Sequence, residues 1–380
     1  MANSLLDALS QLQHRMVVDL ELLVSAESPS AHPVELGSAA YVVAHVGRGL
    51  LGCEPVYLPG EGCDHLLWTM GDRPKVLVVG HYDTVWPPGT TARWPFSVDG
   101  DKATGPGSFD MKAGLVQAFY AVQALGRPDG VQILITGDEE IGSPSSRSWI
   151  EKLAAGAEAV LVLEASLDGA LKTSRKGAST YRLHARGRAS HAGLEPDAGV
   201  NATLEIAQQI LSIEKLADAP AGTSVTPTTL RSGDASNQIP ASSWLDIDVR
   251  AASMDELERV DCALRSLRPQ LDGASLKIEG GIDRGPLAQA RASALFDRAN
   301  EVAQFLGLPP LRQAMAGGTS DGNLTAALGI PTLDGLGAVG AGAHCEGEWA
   351  QVSAMPERAA LLAGLIDSLL RSPVESPSTS

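Results

Sequence analysis

Three short apolar runs constrain this chain more than any other feature: Lys75-Val76-Leu77-Val78-Val79-Gly80, Val131-Gln132-Ile133-Leu134-Ile135 and Ala159-Val160-Leu161-Val162-Leu163. Each is shorter than a typical buried helix and too continuously apolar to leave one face in water. They fit strands covered on both faces, as a parallel sheet between helical layers requires. Met111 to Leu125, between the first two runs, has the composition of a helix. Near the start, Leu5, Leu6, Leu9, Leu12, Met16, Val17 and Leu20 recur at three- and four-residue steps that predict another. Such alternation argues an α/β architecture with a central sheet, whose ligands bind at the carboxyl ends of the strands.

From about Gly177 to Gly281 the texture changes. A strand over Thr180–Arg186, a helix over Asn201–Leu216, strands over Ser224–Arg231 and Ser243–Arg250, a helix over Met254–Leu267 and a strand over Ser275–Glu279 are expected. That is a β-α-β-β-α-β order, which predicts a ferredoxin-like α+β insert. Helices near Ala292–Leu306 and Pro356–Leu370 then return the chain to α/β texture. The 380 residues allow two or three domains, at about 150 residues each. We expect a discontinuous first domain, 1–176 with 282–371, an inserted domain, 177–281, and a disordered Ser- and Pro-rich tail, 372–380.

Polar residues with chemical potential follow the predicted strands or sit in Gly-rich turns: His81-Tyr82-Asp83, Asp110 in Gly107-Ser108-Phe109-Asp110-Met111, Asp138-Glu139-Glu140, Glu164, and His344 in Gly342-Ala343-His344-Cys345. Taken singly, each has an ordinary structural explanation. An HxD pair is commonly a hydrogen-bonded surface pair, paired glutamates a solvated loop, Asp110 a helix N-cap and His344 a turn residue. Together they supply imidazole and carboxylate ligands at one sheet edge, a set that suits two zinc ions sharing a carboxylate.

In this order the residues resemble the dinuclear zinc exopeptidase and deacylase family, whose members include glutamate carboxypeptidase, acetylornithine deacetylase, succinyl-diaminopimelate desuccinylase and aminoacylase. The texture is most similar to glutamate carboxypeptidase. The resemblance runs from His81 to His344. It implies a zinc-peptidase catalytic domain with a central mixed sheet flanked by helices, and it makes the insert a dimerisation or lid domain of a homodimer. His81, Asp110 and Glu164 would hold one Zn2+, and Asp110, Glu140 and His344 the other, with Asp110 bridging; cobalt or manganese suits the same ligands. Glu139 matches the general base that takes a proton from a metal-bridging water, and Asp83 the carboxylate that orients His81. The Asp110-Met111 bond would be cis. His191, in Ser190-His191-Ala192-Gly193, matches a lid histidine that donates to the oxyanion in the partner's site, with a turn residue as the plainer reading. Arg250 and Asn237 resemble positions that bind the substrate carboxylate. Lys176, Arg284 and the Gly-rich loop with Gly318 and Thr319 are further anion-binding candidates.

The implied substrate is a small anionic peptide or N-acyl amino acid. The activity is hydrolysis of an amide bond beside a free carboxylate, releasing C-terminal glutamate or a similar amino acid; N-acyl amino acid deacylation or dipeptide cleavage is the alternative. Lys plus Arg number 29 against 45 Asp plus Glu, a net charge of −16, which disfavours nucleic acid as a partner. No run approaches the ~20 apolar residues of a membrane span. Residues 1–30 lack the basic start and apolar stretch of a secretion signal, so a cytoplasmic location is expected. Four scattered cysteines suggest reduced thiols. Cys345, beside His344, is expected to pack as a small buried residue, with soft metal ligation as the alternative. His14, His32, His45, His65 and His184 match no motif and are read as structural.

Overall fold

The computed structural model describes residues 2–372; residues 373–380 of the expected disordered tail lie outside the described residues. The chain forms two compact units. The first comprises Met1–Ser174, Leu287–Ala316 and Ser320–Ser380, and the second Arg175–Pro286 with Gly317–Thr319.

The first unit is built on a six-stranded mixed sheet ordered Val56–Pro59, Asp64–Met70, Val131–Thr136, Val76–His81, Ala159–Val162, Thr332–Leu333. The last four strands are parallel, and the first two add an antiparallel edge. Each apolar run serves both faces by the two-residue alternation of a strand. Val76, Val78, Ile133, Ile135 and Leu161 join the larger core beneath the helices Gln13–Ser25, Pro33–Leu51, Ala113–Ala124, Gln289–Phe305 and Ala354–Arg371. Leu77, Val79, Leu134, Val160 and Val162 face the other way, against Ile150 of helix Arg147–Ala154 and Leu324 of helix Asp321–Ala327. Burying each such side chain contributes about 1.5–3 kcal/mol. Helix Ala113–Ala124 lies between layers, and every residue from Ala113 to Val122 is buried. The expected fold class, α/β with a helix-flanked mixed sheet, is therefore observed.

The second unit has a four-stranded antiparallel sheet ordered Ser224–Ser232, Ser242–Ala251, Gly177–Arg186, Ser275–Arg284. Helices Ala202–Ile213 and Met254–Arg265 pack on one face, where Ile206, Leu245, Ile247, Val249, Leu257 and Val260 form a separate core. Both helices start where the sequence supplies a cap. Asn201 accepts from the N–H groups of Thr203 and Leu204, and Ser253 from that of Glu256. The chain order is thus the expected β-α-β-β-α-β, with the last strand running on to Arg284.

Candidate active site

Adjacent parallel strands end together at one edge of the large sheet. The Val76–His81 strand delivers His81, the turn after Val131–Thr136 delivers Asp138, Glu139 and Glu140, and Glu164 follows Ala159–Val162. Asp110 reaches them from an irregular turn, Ser108–Lys112, that precedes helix Ala113–Ala124; its peptide bond to Met111 is cis. His344 comes from a Gly-rich turn in which its own φ is +62°.

The side chains converge around Asp110. His81 Nε2 lies 3.6 Å from Asp110 Oδ1 and 3.6 Å from Glu164 Oε1. On the other side, His344 Nε2 is 3.5 Å from Asp110 Oδ2 and 3.1 Å from Glu140 Oε2. The two oxygens of one carboxylate therefore serve two separate ligand groups. Zinc–ligand bonds of about 2.0–2.2 Å place tetrahedral ligands roughly 3.3–3.6 Å apart, so these separations fit a cation at each group. Carboxylate oxygens of Glu139 and Glu164 also lie with a His81 nitrogen in a group whose ligand atoms are within 4.8 Å of one another.

Electrostatics point the same way. His81 Nδ1 is 3.0 Å from the backbone carbonyl of Asp83, to which it donates. In the neutral ring, that bond places the lone pair on Nε2, aimed at Asp110 and Glu164, the tautomer a metal requires. Burial alone would lower the His81 pKa, yet Asp110, Asp83 and Glu164 together hold it well above the ordinary value. The hydrogen bond to Glu140 pushes His344 up to about 9. Burial raises Glu140, against the pull of the histidines. Asp110 Oδ1 is buried and makes no hydrogen bond among the described residues. A buried carboxylate oxygen without a hydrogen bond, among further carboxylates, calls for positive charge, which the raised histidines supply in the metal-free protein and a cation would supply in their place.

Asp83 holds the acidic turn. Its Oδ1 accepts the Glu139 N–H at 3.1 Å, and its Oδ2 accepts the Glu140 N–H at 3.1 Å and the Ser30 hydroxyl at 2.7 Å. The carboxylate stands 3.5 Å from His81 Nδ1, farther than the carbonyl of the same residue. Its main work is therefore on the Glu139-Glu140 backbone.

Two buried groups at this edge escaped the sequence reading. Glu348, 1% exposed, accepts N–H groups from Gly107 and Asp110 and the indole N–H of Trp86. It thereby fastens the turn that presents Asp110. Burial pushes its carboxyl up to about 7. His65, read as merely structural, is wholly buried and grouped with Cys63 and Asp138. Neither carries a local signal, since Glu348 resembles its neighbour Glu346 and His65 sits in an otherwise ordinary strand. The expectation for Cys345 is corrected: the turn after His344 leaves its thiol exposed, and it is in none of the ligand groups found among the described residues.

The remaining candidates belong to the second unit. A short ribbon pairs Ser190–His191 with Gln238–Ile239, and Ala192 N–H donates to the Asn237 carbonyl, so His191 and Asn237 are neighbours. Both are exposed. The N–H groups of Gly193 and Leu194 donate to His191 Nδ1, each at 3.1 Å, which leaves Nε2–H as an outward donor. Arg250 pairs with Asp248 of its own strand at 2.9 Å, and Arg284 is buried beside Asp283 at 3.7 Å. Lys176 is half-buried. The carbonyls of Gly318 and Thr319 accept from the buried Arg175 guanidinium at 3.0 and 3.3 Å.

Residues 77–368 match the model of peptidase family M20/M25/M40. The chain is 33% identical to carboxypeptidase G2 of a Pseudomonas species over 78% of its length and 74% of that protein's. A shorter stretch is 38% identical to one of the chains of the p-aminobenzoyl-glutamate hydrolase of Escherichia coli, over 19% of this chain and 17% of that one. Among solved structures, a tripeptidase from Staphylococcus aureus superposes with a TM-score of 0.74 at 20% identity, covering 95% of this chain and 99% of that one. With the ligand geometry, the extent of the family match and the identity to a carboxypeptidase, the chain belongs to peptidase family M20/M25/M40 and is a metallohydrolase.

Proposed function

We propose that this protein is a dinuclear zinc enzyme that hydrolyses the amide bond beside a free carboxylate, releasing C-terminal glutamate or a similar amino acid from a peptidyl or N-acyl substrate. The observation that carries the reading is Asp110, whose two oxygens face His81 with Glu164 on one side and His344 with Glu140 on the other. These five residues are the proposed zinc ligands. The names of two relatives, a carboxypeptidase and an aminobenzoyl-glutamate hydrolase, support the choice of reaction and of glutamate.

Bound at these ligands, zinc would supply Lewis acidity to the scissile carbonyl and acidify water. Glu139, beside the ligand Glu140 on the same turn, accepts the water proton and returns it to the leaving nitrogen. Asp83 keeps that carboxylate in place by gripping its backbone N–H. The outward Nε2–H of His191 suits the carbonyl oxygen as negative charge develops. We assign this donor to the partner's site in a cytoplasmic homodimer, and assign the substrate carboxylate to Asn237, Arg250, Lys176, Arg284 and the Gly318-Thr319 loop.

The test is hydrolysis of N-acetyl and N-benzoyl derivatives of Glu, Asp, Ala, Leu and ornithine, together with dipeptides, by zinc-loaded enzyme and by Glu139→Ala. Turnover confined to the acyl-glutamate or acyl-aspartate substrates, and lost in the variant, is expected. Turnover of acetylornithine alone would make the protein a deacylase, and turnover of dipeptides alone a dipeptidase.

A further inference from the structure

A second group of buried side chains touches the turn that carries Glu139 and Glu140. Cys63, His65 and Asp138 bring ligand-type atoms within 4.8 Å of one another. What they share is the hydroxyl of Ser145, which lies 3.2 Å from His65 Nε2, 2.7 Å from Asp138 Oδ2 and 4.0 Å from Cys63 Sγ. The hydrogen bonds run in one direction. Gly137 N–H donates to His65 Nδ1 at 3.2 Å, which places the imidazole proton on Nε2. Nε2–H then donates to Ser145 Oγ, and the hydroxyl proton goes to Asp138 Oδ2. The same Asp138 oxygen accepts the N–H groups of Ser145 at 2.7 Å and Ser146 at 3.2 Å. Burial lowers the His65 pKa, in keeping with the neutral ring this chain of bonds needs.

We propose that His65 and Ser145 are positioning residues: through Gly137 and Asp138 they form a strut that fixes the turn carrying the general base and one zinc ligand. The inference rests on the reading of Glu139 as base and Glu140 as ligand. Asp83 fixes the N–H groups of Glu139 and Glu140, and Ser143 N–H holds the Asp138 carbonyl at 2.8 Å. The strut supplies what these leave out, the N–H of Gly137 and the side chain of Asp138. Without it the acidic turn is anchored on the Asp83 side, while Gly137, lacking a side chain of its own, is left to pivot. A displacement of 1 Å in a catalytic group can cost about 10²-fold in rate. An ion among Cys63, His65 and Asp138 is the competing account. Asp138 Oδ1 has no hydrogen-bond partner among the described residues and would welcome one, but the Ser145 hydroxyl already fills the space between the ligands.

The experiment compares Ser145→Ala, His65→Asn, Gly60→Ala and Cys63→Ala with wild type and with Glu139→Gln. Gly60→Ala probes the strut from outside, because an added Cβ would lie 2.6 Å from both His65 Nε2 and Ser145 Oγ. The readouts are kcat, KM, zinc content and zinc affinity by chelator competition. In the three strut variants kcat should fall about 10- to 100-fold with KM nearly unchanged, and the weaker zinc equivalent should bind less tightly. Cys63→Ala should match wild type. Strut variants with wild-type kcat and zinc affinity, or with a lowered Tm as their sole change, overturn the proposal. So does a third zinc equivalent in wild type that disappears in Cys63→Ala. If instead Glu139→Gln stays active, the base reading fails, and the zinc-affinity comparison still decides the strut.

Discussion

Replacing Asp83 with Asn changes one atom and tests how the acidic turn is held. The two carboxylate oxygens divide their labour: Oδ1 accepts from Glu139 N–H and Oδ2 from Glu140 N–H, both at 3.1 Å, with the Ser30 hydroxyl also on Oδ2. An amide retains one acceptor and puts a donor where the other was. Whichever way it turns, one backbone N–H loses its partner in a site where Asp83 is 1% exposed. Leaving a buried donor unsatisfied costs about 1–3 kcal/mol. At about 1.4 kcal/mol per factor of ten, that is roughly 5- to 150-fold, distributed between zinc affinity through Glu140 and kcat through Glu139. Removing groups that orient metal ligands costs a similar 10- to 100-fold. KM should change little, because no substrate contact is assigned to Asp83. The assay is steady-state kinetics on an N-acylglutamate at saturating zinc, with chelator competition on the same preparation. Zinc affinity and kcat both within twofold of wild type would refute the division of labour. A raised KM with unchanged kcat would show that Asp83 serves the substrate instead.

Metal removal should abolish activity, and zinc should restore it while raising the Tm, since metal at 100 times its Kd adds about 2.7 kcal/mol per site; an unchanged Tm on adding zinc contradicts the ligand assignment. A pH effect is expected in the metal-free protein. Burial holds Glu348 at about 7, above its usual 4.5, so between these values the folded chain keeps a proton that the unfolded chain releases. Its contribution to stability is therefore full below 4.5 and is lost as pH rises through 7. Glu348→Gln should flatten the fall in Tm over that window, and parallel curves for the two proteins would argue against the assigned shift.

The strands that support the site were legible in the sequence, because both-face burial leaves a run such as Val76–Val79 with no polar position to hide it. Strands toward the margins of the sheet gave less away. Thr332–Leu333 is two residues long, and Asp64–Met70 mixes buried Leu66, Trp68 and Met70 with polar neighbours. Helix Pro33–Leu51 went unread because Gly37, Gly47 and Gly49 dilute its pattern. Gly47 is explained by tertiary contact alone, since a Cβ there would lie 2.4 Å from the Trp68 ring. The proposed ligands stood out because His81, Glu140 and Glu164 lie at or just after strand ends, and Asp110 and His344 sit in Gly-rich turns, in a recognisable order. Glu348, His65 and Ser145 did not. They act through backbone groups of other turns, and a hydrogen bond between residues 241 positions apart, as from Gly107 to Glu348, leaves no spacing to read.

The ligand group containing Asp110 and His344 also has an order of appearance during synthesis. His344 leaves the ribosome 344 − 110 = 234 residues after Asp110, a delay of roughly 12–47 s at about 5–20 residues per second. The second unit, whose main segment Arg175–Pro286 is continuous, emerges whole in that interval. On the proposed ligand assignment, His81, Asp110 and Glu164 have all emerged well before His344. On the same assignment, the group that His344 completes is assembled from both sides of the second unit, whose main segment lies between Asp110 and His344 in the sequence.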